Sequence, residues 1–167
     1  MQIAPLAPNE EDRLALLHAL DILDTPREPV FDLITSLAAQ ALRVPVVLVS
    51  LVDRDRQWFK SSYGFDIRQF DRQSAFCAHC IVQDPPLVIP DTLIDDRFFD
   101  NPLVTGTPGI RSYAGVAIRS LKGLPLGTVC AVGWEPREFD EADIGCLCQA
   151  GLLVNPGVKA QSVKELI

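Results

Sequence analysis

The sequence predicts a single α+β domain in which a β-sheet is covered by helices on at least one face. Segments rich in β-branched residues and segments with helical spacing follow in a distinct order: two helices, a hairpin, a short helix, a strand, a long connection, a hairpin and a helix. The chain has 167 residues, of which 48% are hydrophobic, so it suits one domain with a sizeable core. Charged residues make up 22%, a share typical of a globular protein.

Two helices are predicted before the first strand. Asn9 precedes a run of acids, which places a cap residue and negative charge at the start of a helix over residues 10–21. Residues 25–28 read Thr-Pro-Arg-Glu, a capping box with proline at the first helical position of the second helix. Because Pro45 disfavours a helical conformation in the residue before it, that helix should end at residue 43 or 44.

The strands are predicted from composition and from the turn residues between them. Residues 46–52 are rich in β-branched residues and apolar on both faces, which indicates a central strand covered on both sides. The polar residues 53–56 form its turn, and Gly64 ends the strand that follows. Further strands are predicted at residues 57–63, 87–89, 110–119 and 126–133.

The remaining segments are a short helix, a long connection and a last helix. Ser74 is the predicted N-cap of a short helix over residues 75–83. Residues 92–109 form a connection of a length that is often a binding lid. A last helix begins after Asp140 and fades at residues 155–157. The expected organisation is an N-terminal extension at 1–8, one domain at 9–155 and a C-terminal tail at 156–167.

Charge and hydropathy exclude several classes of partner. The net charge of −7 argues against nucleic acid, because binding a phosphate backbone rests on a basic surface. Residues 1–12 carry acids and prolines where a signal peptide needs a basic and then an apolar region, and the longest apolar run, 44–52, is too short for a membrane helix. A cytoplasmic location without membrane contact is expected. There the five cysteines are free thiols or ligands and not a disulfide framework.

Seven short segments follow one another along the chain in a distinctive order. They are LDILDTP at 20–26, VSLVDRDRQWFK at 49–60, FCAH at 76–79, DDRF at 95–98, NPLV at 101–104, IRSYAG at 110–115 and LGTVC at 126–130. In this order they resemble bacterial GAF domains of the subgroup found with histidine kinases and diguanylate cyclases. The resemblance covers residues 9–150 and implies a GAF/PAS-like central antiparallel β-sheet of five to six strands flanked by helices, with a pocket under the lid. The asparagine and lysine signature of cyclic-nucleotide GAF domains is missing.

The resemblance implies a regulatory sensor that binds a small molecule and signals through dimer helices. No output module follows, so a histidine kinase or diguanylate cyclase effector is expected to act in trans, unless the domain serves only for dimerisation. A stand-alone reductase of free methionine sulfoxide is the enzymatic alternative. Covalent bilin attachment is disfavoured because Cys77 lacks a directly adjacent histidine. The sequence identifies neither the ligand nor a cofactor, and it predicts no catalytic or metal-ligating set.

Polar residues beside apolar segments are the candidate ligand-binding groups, and each has a structural alternative. Cys77 and Cys80 lie three apart near a helix start, where a thiol pKa is lowered, but the favoured interpretation is that they and Cys130 are small buried apolar residues. His79 either contacts the ligand or positions the lid. For Asp91 and Asn101 the alternative is turn capping. The predicted ligand-binding residues are Cys77, His79, Asp91, Phe98, Asn101 and Tyr113.

A homodimer is also implied by the resemblance, through the first helix with a contribution from the last. Leu14, Leu17, Leu20 and Leu23 recur every three residues and form an apolar stripe on the first helix. The stripe suits either a partner subunit or the domain's own core.

Overall fold

A six-stranded antiparallel sheet forms the middle layer of the molecule, in the order β3-β2-β1-β6-β5-β4. The computed structural model describes residues 1–83 and 85–164. The α+β fold and the antiparallel sheet are confirmed, and β3 is a short edge strand that the sequence analysis missed. The strands are β1 (Val46–Val52), β2 (Arg56–Tyr63), β3 (Gln69–Asp71), β4 (Leu87–Ile89), β5 (Ser112–Arg119) and β6 (Pro125–Gly133).

Five α-helices and two 3₁₀ turns surround the sheet in the described part of the chain. The last helix continues through residues 155–157, so the predicted end of this helix is wrong. Asparagine, proline and glycine have low helix propensity, but tertiary context can override propensity. Among the helices in the described ranges, none is both long and apolar enough to cross a membrane. The helices are α1 (Glu10–Ala19), α2 (Pro29–Leu42), α3 (Phe76–Cys80), α4 (Pro102–Thr105) and α5 (Glu141–Lys164), and the 3₁₀ turns are Arg72–Ser74 and Thr92–Ile94.

The central strand separates two apolar cores. Every residue of β1 is buried, and because side chains alternate along a strand, neighbours enter opposite cores. Val47, Val49 and Leu51 pack with α2 and α5 on one face. Val46 and Leu48 pack with α3 and the residue 90–111 connection on the other face. We call this connection the lid, and the second face is the one that carries the candidate site.

Two predicted helix starts are wrong, because the side chains predicted to cap them make other hydrogen bonds. Helix α2 begins at Pro29 and not at Pro26. Thr25 donates to the Ile22 carbonyl and accepts a hydrogen bond from Lys60, a fully buried cation that needs such acceptors. Ser74 is not the cap of α3 either, since its hydroxyl donates to the Asp71 carbonyl and Ala75 holds the cap position.

The leucine stripe of α1 faces the domain's own core. Leu14, Leu17 and Leu20 are at most 4% exposed, so they are not available to a partner subunit. Of the two alternatives predicted for the stripe, burial in the domain's own core is the correct one for these three leucines. On α1 the sequence showed a stripe, but only the packing of α1 on the sheet determined what covers it.

A buried ion cluster ties α1 to the turn between β1 and β2. Glu10 receives hydrogen bonds from Arg13 Nε at 2.8 Å and from Arg72 Nη1 at 2.5 Å. Arg13 has no exposed surface, and its Nη1 also donates to the Val52 carbonyl at 2.7 Å. Burial opposes ionisation of Glu10, but the two guanidinium groups outweigh it and lower its pKa from 4.5 to about 2.

Candidate functional site

A small hollow lies between the sheet and the layer formed by α3 and the lid. Its volume is about 10 Å³, which is close to the space that one water molecule needs. Strands β1, β2, β5 and β6 supply its floor, whereas Leu103 and Ile110 of the lid close it. The lining residues are Leu48, Gln57, Phe70, Phe76, Cys77, Leu103, Ile110, Tyr113, Cys130 and Val132.

The sulfur of Cys77 is the centre of a buried polar cluster in this hollow. Gln57 Nε2 and Thr128 Oγ1 both donate to it at 2.9 Å, and Ser50 Oγ lies 3.3 Å away. The hydroxyl of Tyr113 is 3.2 Å from the same sulfur, and Ser50 and Thr128 are 2.8 Å apart. Hydrogen bonds to a charged acceptor are stronger than those to a neutral one, so this arrangement favours the thiolate form.

The three cysteines near the hollow differ in acidity because their surroundings differ. Burial by itself raises the pKa of Cys77, but the hydrogen bonds from Cys130 and from the hydroxyl groups outweigh it, and the pKa falls to about 7. Burial raises the pKa of Cys80 to about 12. The pKa of Cys130 lies well above its ordinary value, because its thiol donates to Cys77 and is buried. Within residues 1–83 and 85–164, no group of three or more His, Cys, Asp or Glu side chains could hold a metal.

Aromatic rings form the wall of the hollow next to α3. The ring of Phe76 stacks on Phe98 with centroids 4.4 Å apart and on Tyr113 at 5.2 Å. The Tyr113 ring lies across Gly115, where a Cβ would come within 2.8 Å of ring carbon Cζ. Glycine at this position therefore allows the tyrosine to reach Cys77. Phe98 is fully buried and plugs the core beneath the lid.

His79 joins the lid wall to the N-terminal segment. Its Nε2 lies 3.1 Å from the Gln2 carbonyl, and its ring contacts Phe98 edge to face at 4.8 Å. Burial lowers the pKa of His79, so the neutral imidazole is favoured. These contacts match the second alternative for His79, in which it positions the lid. Its ring is not part of the lining of the hollow.

Asp91 and Asn101 hold the backbone of the lid. The Asp91 carboxylate accepts from Leu93 N at 3.0 Å and pairs with Arg111 at 3.0 Å. Asn101 accepts from the backbone N–H of Leu103 at 2.8 Å, which caps α4, and its amide donates to the Ser74 carbonyl at 3.0 Å. Both side chains thus make the capping contacts that were the alternative to ligand binding.

The structure brings together some of the predicted site residues and separates others. Of the six, Cys77 and Tyr113 line the hollow, while His79 and Phe98 form a second layer behind Phe76. Asp91 and Asn101 lie in the lid, outside the lining. Whether any of the six binds a ligand stays a prediction.

Sequence reasoning missed three polar residues of the cluster around Cys77. Ser50 and Thr128 lie inside the apolar strands β1 and β6, and Gln57 is the second residue of β2. An isolated polar residue in an apolar strand was a usable signal, because it needs a buried hydrogen-bond partner. Its partner lies in another element, so the strand alone could not identify it.

Comparison with known proteins gives a family match and a curated relative. The profile of the GAF domain matches residues 26–155. A cyclic di-GMP phosphodiesterase of Pseudomonas aeruginosa is 38% identical over 148 residues, which cover 88% of this chain and 25% of that protein. The chain thus spans about a quarter of the length of the curated relative that it matches.

Solved structures share the fold at low sequence identity. The GAF domain of a phosphoenolpyruvate-protein phosphotransferase from Coxiella burnetii superposes with a TM-score of 0.66 at 14% identity, covering 94% of this chain and 98% of that one. The free methionine-R-sulfoxide reductase of Neisseria meningitidis gives 0.65 at 16%, covering 99% of both chains. Because these structures differ in function, the likeness concerns the fold alone. The profile match over most of the sequence shows that the chain belongs to the GAF domain family.

Proposed function

We propose that this GAF domain is a regulatory module that binds a small, uncharged molecule in the hollow under the lid. The composition of the hollow carries the proposal: apolar walls meet a few converging polar groups, Gln57, Cys77 and Tyr113, as in small-molecule sites generally. None of the ten lining residues is cationic, and the one group among them that ionises near neutral pH is the Cys77 thiol. An uncharged ligand therefore suits this lining better than a nucleotide phosphate does.

Ligand binding in this proposal requires the lid to move. A volume of about 10 Å³ holds no metabolite, so the ligand selects a state in which Leu103 and Ile110 have withdrawn from the sheet. Asp91 and Asn101 hold the lid backbone, and His79 and Phe98 support its inner wall. We propose these four as residues that control lid opening, and Cys77 and Tyr113 as the ones that contact the ligand.

A thermal-shift screen tests the proposed site. The panel contains uncharged nucleobases, simple aromatic compounds and short-chain amides, and a ligand at about 100 times its Kd should raise the Tm by about 5–10 °C. Tyr113→Phe removes one hydrogen bond and should weaken affinity about fivefold. Tyr63→Phe, on an exposed tyrosine of β2, is the matched control and should bind like the wild type. A panel without a stabilising compound, or equal affinity in Tyr113→Phe, contradicts the proposal.

We favour regulation over catalysis for this domain. The 38% identical relative is a cyclic di-GMP phosphodiesterase, and the region that matches this domain is only a quarter of that enzyme. The reductase alternative has the buried Cys77 thiol in its favour. Incubation with free methionine sulfoxide and a thioredoxin reducing system distinguishes the two. We expect no turnover above the protein-free reaction; multiple turnovers abolished by Cys77→Ser would establish the reductase.

We further propose a homodimer that pairs through α2, with α5 beside it. Val30, Leu33 and Leu37 are 54–58% exposed and share one face of α2, since they follow helical spacing. Leu152 and Leu153 of α5, which packs on α2, are also exposed. A second copy covering this face would remove an apolar stripe from water.

Substitutions on α2 should separate the two copies without unfolding the domain. Leu33→Glu with Leu37→Glu removes two exposed leucines from the contact and should raise the dimer dissociation constant at least about tenfold. Leu121→Glu, on an exposed turn leucine between β5 and β6, should leave the constant unchanged. Sedimentation of the three proteins measures this. A monomeric wild type, or a double variant that dimerises equally well, rules out the α2 contact.

The signal is proposed to pass to a separate enzyme domain in the cytoplasm. Histidine kinases and diguanylate cyclases are the proposed effectors. Because the curated relative is a cyclic di-GMP phosphodiesterase, we include phosphodiesterases of this type among them. All five cysteines are free, as suits a reducing compartment.

A further inference from the structure

Two thiols from different elements meet at the floor of the hollow. Cys77 belongs to α3 and Cys130 to β6, and their sulfur atoms are 3.8 Å apart. Neither residue has exposed surface, yet both line the hollow. A disulfide bond needs a sulfur separation of about 2 Å, so the two sulfur atoms would have to approach each other by a little under 2 Å.

The polar cluster around Cys77 exceeds what a structural cysteine requires. A buried thiol packs as a small apolar group and needs no hydrogen-bond donor. Here an amide and hydroxyl groups, from Gln57, Thr128, Ser50 and Tyr113, converge on one sulfur. Burial by itself would raise the pKa of Cys77, but the hydrogen bonds from Cys130 and from the three hydroxyl groups lower it to about 7, so a large fraction is thiolate near neutral pH. Cys80, one turn away on the same helix, stays protonated with a pKa of about 12.

We propose that Cys77 and Cys130 are a peroxide-reactive pair, in which Cys77 reduces hydrogen peroxide or a small hydroperoxide and Cys130 then forms a disulfide with it. The inference goes beyond the sensor function, because it holds whether or not the hollow takes another ligand. Hydrogen peroxide is small and uncharged, as the lining requires. The peroxide would enter the hollow beside Phe70, which is a half-buried residue of the lining.

Each step balances without a further reagent. The Cys77 thiolate attacks one peroxide oxygen, so an S–O bond forms and the O–O bond breaks. The departing oxygen takes the proton that Cys77 released on ionising, and leaves as water or alcohol. The sulfur of Cys130 then attacks the Cys77 sulfenic acid, and the hydroxyl leaves as water with the Cys130 proton. Two thiols are oxidised to one disulfide, and one peroxide is reduced.

The pairing is tested by adding one equivalent of hydrogen peroxide to the reduced 167-residue protein, followed by acid quench, thiol alkylation and peptide mapping. We expect the wild type to lose two alkylatable thiols, with a disulfide that joins the Cys77 and Cys130 peptides. Its rate should rise with pH around 7, as the thiolate forms. A Cys77–Cys80 disulfide, or oxidation only at the exposed Cys148, overturns the proposal. This measurement needs no variant, so misfolding of a mutant cannot obscure it.

Three variants divide the roles within the pair. Cys130→Ser should stop at a sulfenic acid on Cys77, trapped by dimedone, whereas Cys80→Ser should behave like the wild type. Gln57→Leu removes a donor to the thiolate, so it should slow oxidation at pH 7 at least about fivefold and move the pH midpoint upward. If Cys80→Ser prevents the disulfide, or if Gln57→Leu changes neither rate nor midpoint, the assignment is wrong.

Discussion

Gly127→Ala is expected to lower the free energy of unfolding by about 4 kcal/mol or more, a loss that belongs to the severe class of single substitutions. Gly127 lies in β6 opposite Leu51 of β1. A Cβ at this position would overlap the Ser50 carbonyl oxygen and lie 2.9 Å from Leu51 Cα. Because these are backbone atoms of the central strand, the clash can be relieved only by separating β1 from β6.

Urea unfolding measures this loss, and Gly145→Ala is the matched control. Gly145 lies in α5, and a Cβ there has no neighbour within 4 Å. Alanine is more stable than glycine in a helix interior, so the free energy of unfolding of the control should rise by about 0.5–1 kcal/mol. The two variants add the same methyl group and should change stability in opposite directions. If Gly127→Ala lowers the free energy of unfolding by less than about 1 kcal/mol, β1 and β6 can accommodate the added methyl group and the prediction is wrong.

Glu10→Gln is expected to destabilise the domain by about 3 kcal/mol at pH 7, because it leaves two buried guanidinium groups without their carboxylate. Arg13 and Arg72 both bond to Glu10, and Arg13 has no contact with solvent that could replace it. The cluster fixes α1 on the β1–β2 turn and on the segment before α3. The substitution should therefore weaken the layer next to the hollow as well as α1.

The pH dependence of the Glu10→Gln effect follows from the lowered pKa of Glu10. The pKa is about 2 in the folded protein against 4.5 ordinarily, so the charged carboxylate stabilises the fold fully above about pH 5. That stabilisation is lost as the pH falls towards 2, and the wild type and Glu10→Gln should then converge. Glu11→Gln is the control, since Glu11 is exposed and pairs with Arg54 at the surface, and its urea midpoint should not move. A constant difference between pH 7 and pH 3 would contradict the assigned role.

Local sequence patterns were enough to predict the fold class and the positions of most elements. Strands β1 and β4 lie where the residues predicted them, and α1 differs only at its end. These elements carry local signals, since a strand covered on both faces is apolar throughout and a helix start collects acids and cap residues. Elements with weaker local signals were displaced or missed, as with the three-residue β3 and the start of α2 at Pro29.

Which polar groups share a site depends on the packing of segments that are distant in sequence. Cys77, Tyr113, Gln57, Ser50 and Thr128 come from five elements, and the strand order β2-β1-β6-β5 under α3 brings them to one sulfur. Conversely, Asp91 and Asn101 looked like ligand-binding residues but satisfy the lid backbone, whose N–H groups need partners once buried. Local patterns report what a segment can bury or cap. The identity of the partner is set by contacts distant in sequence, which no single segment contains.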